Sequence, residues 1–257
     1  MYRFDVLLIC PILLLASGLD CMAGDDEDLT AVLNTFGPGA ITQTSDAAKP
    51  ETVAEFIASD FGKRTFSIVS GDQSGGTLIF EVEEKPGDQG VRFVHIGDGD
   101  IATIQLVKSD VYRSQQVDSD SNSVAIFEPA EPVFLASQGF DTAVESEISV
   151  KVSPVSDPTQ VVHQGNLKCS YEVLGAFRVN APAGNFDTIC VRTRYQGKVG
   201  PADVDDSRYI FYAKKYGPVA IRTFSHVEAM IFYNKTKQRS LLLASYQLVP
   251  DPPVPGK

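Results

Sequence analysis

The sequence contains no tryptophan, only three histidines and four cysteines, and fewer basic than acidic residues. The 22 Lys and Arg against 33 Asp and Glu give a net charge of −11, which repels nucleic-acid phosphates and anionic lipid surfaces. Phosphate-binding loops, zinc-ligand spacings and basic stripes interleaved with aromatic residues are also missing. We therefore predict no nucleic-acid partner and no cofactor.

The composition is that of an ordinary folded protein. Hydrophobic residues make up 43% and charged residues 21% of the 257 positions, so extensive disorder is not expected. This length suffices for one large domain or two small ones.

The first residues are typical of an export signal. Residues 6–16 form an apolar run that is too short to cross a bilayer but matches the core of a signal peptide. Cleavage after Ala23 or after Gly18 fits the small residues there, and Cys21 allows a lipoprotein alternative, although Asp20 departs from the lipoprotein pattern. We predict an exported protein, periplasmic or envelope-associated, with membrane contact only if Cys21 is lipidated.

Only Cys169 and Cys190 remain after the leader is removed, and an exported pair is normally read as a disulfide. A hairpin with its loop at Ala183 and Gly184 would place Cys190 opposite Phe177. Cys169 then lies eight residues along the strand, about 26 Å away, whereas bridged Cα atoms lie within about 7 Å. A disulfide requires the first strand to break; otherwise the two are buried free thiols.

The chain divides into four parts. We predict a signal peptide over 1–23, a flexible tether with at most one helical turn over 24–49, a helix plus antiparallel β domain over 50–249, and a Pro-rich tail over 250–257. The helix is expected over 50–61, where a Pro precedes acidic residues and apolar residues recur at helical spacing.

From residue 65 onward the hydrophobic period changes to two, and Gly-rich and Asp-rich turns separate the runs. Segment 128–139 contains two prolines and is interpreted as an extended crossover. Because no helices alternate with the runs, a parallel doubly wound sheet is disfavoured. The predicted strands are 65–69, 77–82, 91–96, 101–106, 147–152, 168–179, 186–195, 208–213, 219–224, 229–233 and 241–248.

Two stretches carry a family resemblance. Residues 177–188 read Phe-Arg-Val-Asn-Ala-Pro-Ala-Gly-Asn-Phe-Asp-Thr, and 209–221 read Tyr-Ile-Phe-Tyr-Ala-Lys-Lys-Tyr-Gly-Pro-Val-Ala-Ile. They resemble exported bacterial β-proteins of unknown function that carry a Val-Pro-Ala-Gly-Thr-Phe turn before a Gly-x-Val strand pair. The resemblance spans 125–249, with departures at 180–181 and 215–216.

Members of that family are similar in outline to the half-barrel sheets of lipoprotein carriers, in which a curved sheet and a helix enclose an apolar ligand. The resemblance thus implies a mainly β fold: a single antiparallel, curved sheet or half-barrel with one packed helix. It also implies a non-enzymatic carrier for an apolar, lipid-like ligand. The predicted ligand-lining residues are Phe56, Phe61, Phe80, Phe93, Phe177, Phe186, Phe211 and Phe224, with Ile57 beside them.

The alternative is a structural or assembly protein of the cell envelope, which predicts an envelope protein as partner and an exposed edge strand or apolar patch.

The sequence gives only weak support to any catalytic or metal site. The turn at 71–76 only superficially resembles a serine nucleophile loop, and no histidine has a supporting motif. The loop beginning at Asp118 places oxygen ligands at calcium-loop positions 1, 3 and 5, but Ser123 replaces the required Gly and Glu128 falls one position early. His95 beside Asp98 and Asp100, and the acidic residues at 203–206, are interpreted as ordinary turns and loops. We predict no enzyme and no metal site.

Overall fold

The computed structural model describes residues 28–44, 53, 56, 62–84, 88, 90–97, 99–140, 142–229 and 233–248. The described chain is almost entirely β, and period-two burial runs along its strands, as expected when alternate side chains point to opposite faces. Among these residues no helix has the length and apolar character needed to cross a membrane. The elements are α1 (Leu29–Asn34), β1 (Ile41–Gln43), β2 (Gly62–Gly71), β3 (Thr77–Glu84), β4 (Val91–Ile96), β5 (Asp100–Val107), β6 (Asp110–Asp118), β7 (Ser123–Phe134), β8 (Val144–Pro154), β9 (His163–Ala181), β10 (Gly184–Val199), β11 (Ala202–Ala213), β12 (Gly217–Ala229) and β13 (Tyr233–Leu248).

The sheet closes on itself. The strand order is β9-β10-β11-β12-β13-β2-β3-β4-β5-β6-β7-β8, and β8 pairs back onto β9, so twelve antiparallel strands form a barrel. The predicted half-barrel or open sheet is therefore wrong. Closure depends on the 19-residue β9, whose first half pairs with β8 while its second half pairs with β1.

The N-terminal segment lies against the outside of this barrel. The helix α1 is capped by Asp28, whose side chain accepts a hydrogen bond from the backbone N–H of Thr30. Phe36 then packs edge-to-face on Phe211, with ring centroids 5.7 Å apart. Residues 28–44 thus contain α1 and β1, within the segment that the sequence predicted as a tether with at most one helical turn.

Only Val53 and Phe56 are described in the segment 50–61, so the predicted helix there lies outside the described residues. Both side chains are buried in one cluster with Phe134, Tyr171 and Tyr212.

Two strand predictions are corrected. The proposed crossover at 128–139 is largely β7, which tolerates its prolines because the ladder to β6 is irregular beside Pro132. The predicted strand 229–233 is not a single strand: Ala229 ends β12, Tyr233 begins β13 and the two residues pair with each other, whereas 230–232 lie outside the described residues. The strand β6 was not predicted.

The β9–β10 hairpin has the predicted place but a different register. Its loop residues are Pro182 and Ala183, and Gly184 already pairs with Ala181. Cys190 consequently lies opposite Gly175 rather than opposite Phe177.

Cys169 and Cys190 are both buried and are not joined by a disulfide, which confirms the interpretation as buried free thiols. Cys169 packs in a cluster with Phe127 and Tyr195, whereas Cys190 packs in another with Phe177 and Phe211.

Candidate functional site

One half of the barrel interior is filled by side chains and the other half is hollow. Side chains of β7 to β11 pack together in the filled half, with Phe127, Leu167 and Tyr195 among them. The hollow half, here called the lumen, is a cavity of about 230 Å³ enclosed by β2 to β7 and β11 to β13. Most of its wall is apolar, and the apolar side chains that line it include Leu78, Phe80, Val82, Val94, Ile96, Ile104, Ile210 and Leu241.

Five arginines also line this apolar cavity: Arg64, Arg92, Arg113, Arg208 and Arg239. A guanidinium stays charged in proteins, so each arginine brings a positive charge to the wall.

The strand register aligns four of these arginines in two transverse rows. In the first row, Arg92 lies opposite Ile104, Ile104 opposite Arg113, and Arg113 opposite Glu131. Because directly opposed Cβ atoms are about 4.5–5.5 Å apart, this row brings its charged side chains within reach of one another.

The second row crosses the barrel wall on β11 to β13. Arg208 lies opposite Thr223, and Thr223 lies opposite Arg239. We call Arg92, Arg113, Arg208 and Arg239 the arginine belt.

Glu131 joins the two rows. Its carboxylate forms an ion pair with Arg113, and its Oε1 accepts a hydrogen bond from Arg208 Nη1 at 3.3 Å. The carboxylate is almost fully buried, with 2% of its side chain exposed. Arg113 also donates to the side-chain oxygen of Gln116.

A second cavity, of about 30 Å³, adjoins the lumen beside Arg113, Glu131 and Arg208. Asp206 adds a second carboxylate to its wall. Among the described residues, the wall of the two cavities together carries five guanidinium groups and two carboxylates, in a chain whose overall charge is strongly negative.

Two of the other arginines donate hydrogen bonds to neutral oxygens. Arg64 Nε donates to the backbone oxygen of Tyr216 at 2.9 Å, and Arg239 donates to the side-chain oxygen of Gln73 at 2.7 Å. Burial lowers the pKa of Arg239, against the opposing effect of nearby aspartates, and burial likewise lowers the pKa of Arg92, against Glu84. Burial is therefore the largest cause of the pKa shift of both guanidinium groups.

The buried cysteine in the filled half is poorly suited to nucleophilic chemistry. Burial, with a smaller contribution from Glu131, raises the pKa of Cys169 to about 12. A thiol in this state is almost entirely protonated at neutral pH, whereas the thiolate is the reactive species. Burial also raises the pKa of Cys190 and of Tyr195.

Within the described residues, no group of three or more His, Cys, Asp or Glu side chains could hold a metal ion. In the loop considered for calcium, Asp118 accepts from the backbone N–H of Ser121 within the β6–β7 turn. His95 Nε2 lies 2.9 Å from Glu83, and Asp98 lies outside the described residues.

The phenylalanines predicted to line a ligand site do not form a single site. Phe56, Phe177 and Phe186 line a separate cavity of about 510 Å³. Phe80 lines the lumen. Phe93 and Phe224 alternate with lumen-lining neighbours on their strands and so face the opposite side of the wall.

The other described phenylalanines of this set do not line the lumen. Phe177, Phe186 and Phe211 share a cluster with α1, and Phe56 is buried in the cluster that contains Phe134. Phe61 and Ile57 lie outside the described residues.

Sequence reasoning missed the arginines, although a signal was present. In four strands an arginine is followed at alternate positions by two large apolar residues: Arg64 in β2, Arg92 in β4, Arg208 in β11 and Arg239 in β13. An arginine on the apolar face of a strand is a buried charge and therefore a candidate binding residue.

Comparisons with known proteins name no family for this chain. No family model matches it. No curated protein matches it either.

Three solved structures are similar. One is described as an exported protein with a YmcC-like fold from Bacteroides fragilis, at 10% identity and a TM-score of 0.40, covering 73% of this chain and 94% of that one. Another is described as a lipoprotein from Parabacteroides distasonis, at 11% identity and a TM-score of 0.39, covering 75% and 98%. The third is the hypothetical lipoprotein YmcC from Escherichia coli, at 8% identity and a TM-score of 0.36, covering 86% and 98%. At these values the similarities establish neither the family nor the localisation of this chain.

Proposed function

We propose that this chain is an exported, non-enzymatic binding or carrier protein whose barrel lumen holds an apolar, lipid-like ligand. The observation that supports the proposal is the lumen itself, a cavity with a mostly apolar wall inside a closed barrel. Cavities of this kind, with a few polar groups at fixed places, are the usual form of small-molecule sites.

The size of the lumen favours a slender ligand. Its volume of about 230 Å³ is below the ~300–1,000 Å³ usual for sites that enclose a drug-sized molecule. One acyl chain, inserted lengthwise among the aliphatic side chains, fits this limit better than a bulky ring system.

Export and envelope association remain part of the proposal. They rest on the apolar segment 6–16 and the small residues before position 24, with lipidation at Cys21 as the route to membrane contact.

The alternative, a structural or assembly protein of the envelope, has less support. Such a role would use an open edge strand or a large apolar patch. Among the described strands, β2 to β13 close into a ring and only the three-residue β1 lies at an edge. The most exposed large apolar side chains of the described chain are dispersed, apart from Val155, Val161 and Val162 in the β8–β9 connection.

Filling the lumen tests the proposal. Ala102 lines the cavity, whereas its neighbour Thr103 points to the other side of β5, so Ala102→Phe and Thr103→Phe introduce the same side chain on opposite faces. Binding of a fluorescent acyl-chain probe should fall at least tenfold in Ala102→Phe and stay within twofold in Thr103→Phe. Equal binding in both variants, with both folded by circular dichroism, would place the ligand elsewhere and refute the proposal.

A further inference from the structure

We infer that the lumen ligand is a single-chain amphiphile with an anionic head group, a carboxylate or a phosphate, which the arginine belt binds while the aliphatic wall holds the tail. The inference rests on the proposed function and specifies the ligand of that same site.

The wall of the lumen and of the adjoining cavity carries more positive than negative charge. Across the lumen and the adjoining small cavity, five arginines face two carboxylates, Glu131 and Asp206. This excess of positive charge is not a consequence of composition, because acidic residues outnumber basic residues in the chain as a whole. A positive interior inside an acidic protein favours an anion in the lumen over a neutral or cationic molecule.

The strand register brings the arginines of the belt together in pairs. Arg92 and Arg113 are separated only by Ile104 in the first row, and Arg208 and Arg239 only by Thr223 in the second. Strands are spaced about 4.8 Å apart, so the members of each pair start about 10 Å apart at the backbone and can extend toward a common point. Two forked guanidinium groups around one anion match the geometry of a carboxylate or a phosphate.

Aliphatic residues lie on the same inward strand faces as the arginines. Arg92 is followed on its inward face by Val94 and Ile96, and Arg239 is followed by Leu241. Each strand therefore offers a charged group next to an aliphatic surface, which is the pattern that an amphiphile with adjoining head and tail requires. A free inorganic anion would leave the aliphatic surface without a partner.

The energetics agree with this geometry. Removing a guanidinium from water costs several kcal/mol unless hydrogen bonds and opposite charge compensate. Burial is the largest cause of the lowered pKa of Arg92 and of Arg239, so an anion bound beside either guanidinium offsets part of a cost that the protein already bears.

A matched ligand series tests the inference on the unaltered protein. Dodecanoate, dodecyl phosphate, dodecanol and dodecyltrimethylammonium share one tail and differ in the head group, and acetate and inorganic phosphate supply the head groups without a tail. Isothermal titration calorimetry should give at least tenfold tighter binding of dodecanoate or dodecyl phosphate than of dodecanol, and no measurable binding of the cation. The ratio of the affinity for dodecanoate to the affinity for dodecyl phosphate identifies which anion the protein prefers.

The outcomes separate this inference from the proposed function. Equal affinity for dodecanol and dodecanoate would overturn the anionic head group while leaving an apolar carrier intact. Acetate or inorganic phosphate binding as tightly as its dodecyl counterpart would overturn the amphiphile. Failure of every dodecyl compound to bind would overturn the proposed function itself.

Substitutions locate the head group. Arg92→Gln should weaken dodecanoate binding about tenfold if the Arg92–Arg113 pair holds the head group, and Arg239→Gln should do so if the Arg208–Arg239 pair holds it. Both variants should change dodecanol binding less than twofold. Arg178→Gln is the control, because Arg178 is exposed and pairs with Asp187 on the outer surface. If both belt variants bind dodecanoate as tightly as Arg178→Gln does, the arginine belt does not hold the head group. If either variant fails to fold, the ligand series on the unaltered protein still decides the inference.

Discussion

Arg208 Nη1 reaches Glu131 Oε1 at 3.3 Å although β11 and β7 are not neighbours in the sheet. Because Arg113 pairs with the same carboxylate, a single buried acid connects two walls of the barrel. This contact lies where the filled half of the interior meets the lumen, so it serves both the stability of the fold and the electrostatics of the cavity.

Replacing the carboxylate should affect stability and binding in opposite directions. Glu131→Gln leaves two buried arginines without their shared acid, which we expect to lower the free energy of unfolding by about 3–5 kcal/mol in urea denaturation. The same change makes the lumen more positive and should tighten dodecanoate binding severalfold.

The matched control for that experiment is Glu145→Gln, whose ion pair with Lys168 is exposed. Exposed pairs contribute about 0–1 kcal/mol, so this variant should remain close to the parent in both measurements. A Glu131→Gln variant that loses stability and also binds dodecanoate more weakly would mean that the head group does not lie near this acid.

The alkaline limit of stability should depend on the buried thiol. Burial raises the pKa of Cys169 to about 12 in the folded state, whereas the pKa of an ordinary solvated thiol in the unfolded chain is about 9.0. Above pH 9 the unfolded chain therefore loses a proton that the folded chain keeps. The stabilising contribution is complete below pH 9 and is lost as the pH rises toward 12, by up to about 1.4 kcal/mol per pH unit.

Cys169→Ala removes this titration. Its free energy of unfolding should be lower at neutral pH because of the smaller side chain, but should decline less steeply between pH 9 and 11 than that of the parent. Burial also raises the pKa of Tyr195, so some alkaline loss remains in the variant. Identical slopes in both proteins would show that Cys169 does not titrate with a raised pKa.

Thiol reactivity gives an independent check on burial. In a protein with Cys10→Ser and Cys21→Ser, the remaining Cys169 and Cys190 should not react with a thiol reagent at pH 8 while the protein is folded. Both should react within the mixing time in denaturant without a reducing agent. Recovery of fewer than two thiols under those conditions would reveal a disulfide and contradict the structure.

The attachment of the N-terminal segment should depend on Phe36. This side chain is buried against Phe211 on the outside of the barrel, and the backbone N–H of Asn180 donates to Ala40 at 2.7 Å. Truncation in Phe36→Ala removes the ring contact, so α1 and β1 should detach locally and the Asn180 amide should exchange with solvent at least tenfold faster.

Exchange in the β8–β9 ladder provides the internal reference for that measurement, because Leu167 pairs with Ile148 far from α1. Protection there should be unchanged. Equal acceleration at Asn180 and at Leu167 would indicate global destabilisation rather than local detachment.

The sequence predicted the strands better than their closure. Alternation located β4 at its observed bounds and placed predicted runs within nine other strands, because each strand buries one face. Closure depends instead on which distant strands meet, and the pairing of β8 with the first half of β9 leaves no local signal.

The candidate site was harder to predict from the sequence than the strands, for a related reason. Aromatic residues were chosen as lining because they are large and apolar, but the inward or outward direction of Phe93 or Phe211 depends on the register of the whole barrel. The arginines at alternating positions with apolar residues were the more informative pattern. Their convergence on one lumen, however, required the three-dimensional register.

A crystal structure of the protein with a dodecanoate brominated at its terminal carbon tests the central claim most directly. The anomalous signal of bromine should lie in the lumen among Leu78, Ile96 and Leu241, with the carboxylate within hydrogen-bonding distance of at least two arginines of the belt. A bromine signal confined to the outer surface between Phe177 and Phe186, with the lumen unoccupied, would contradict the account.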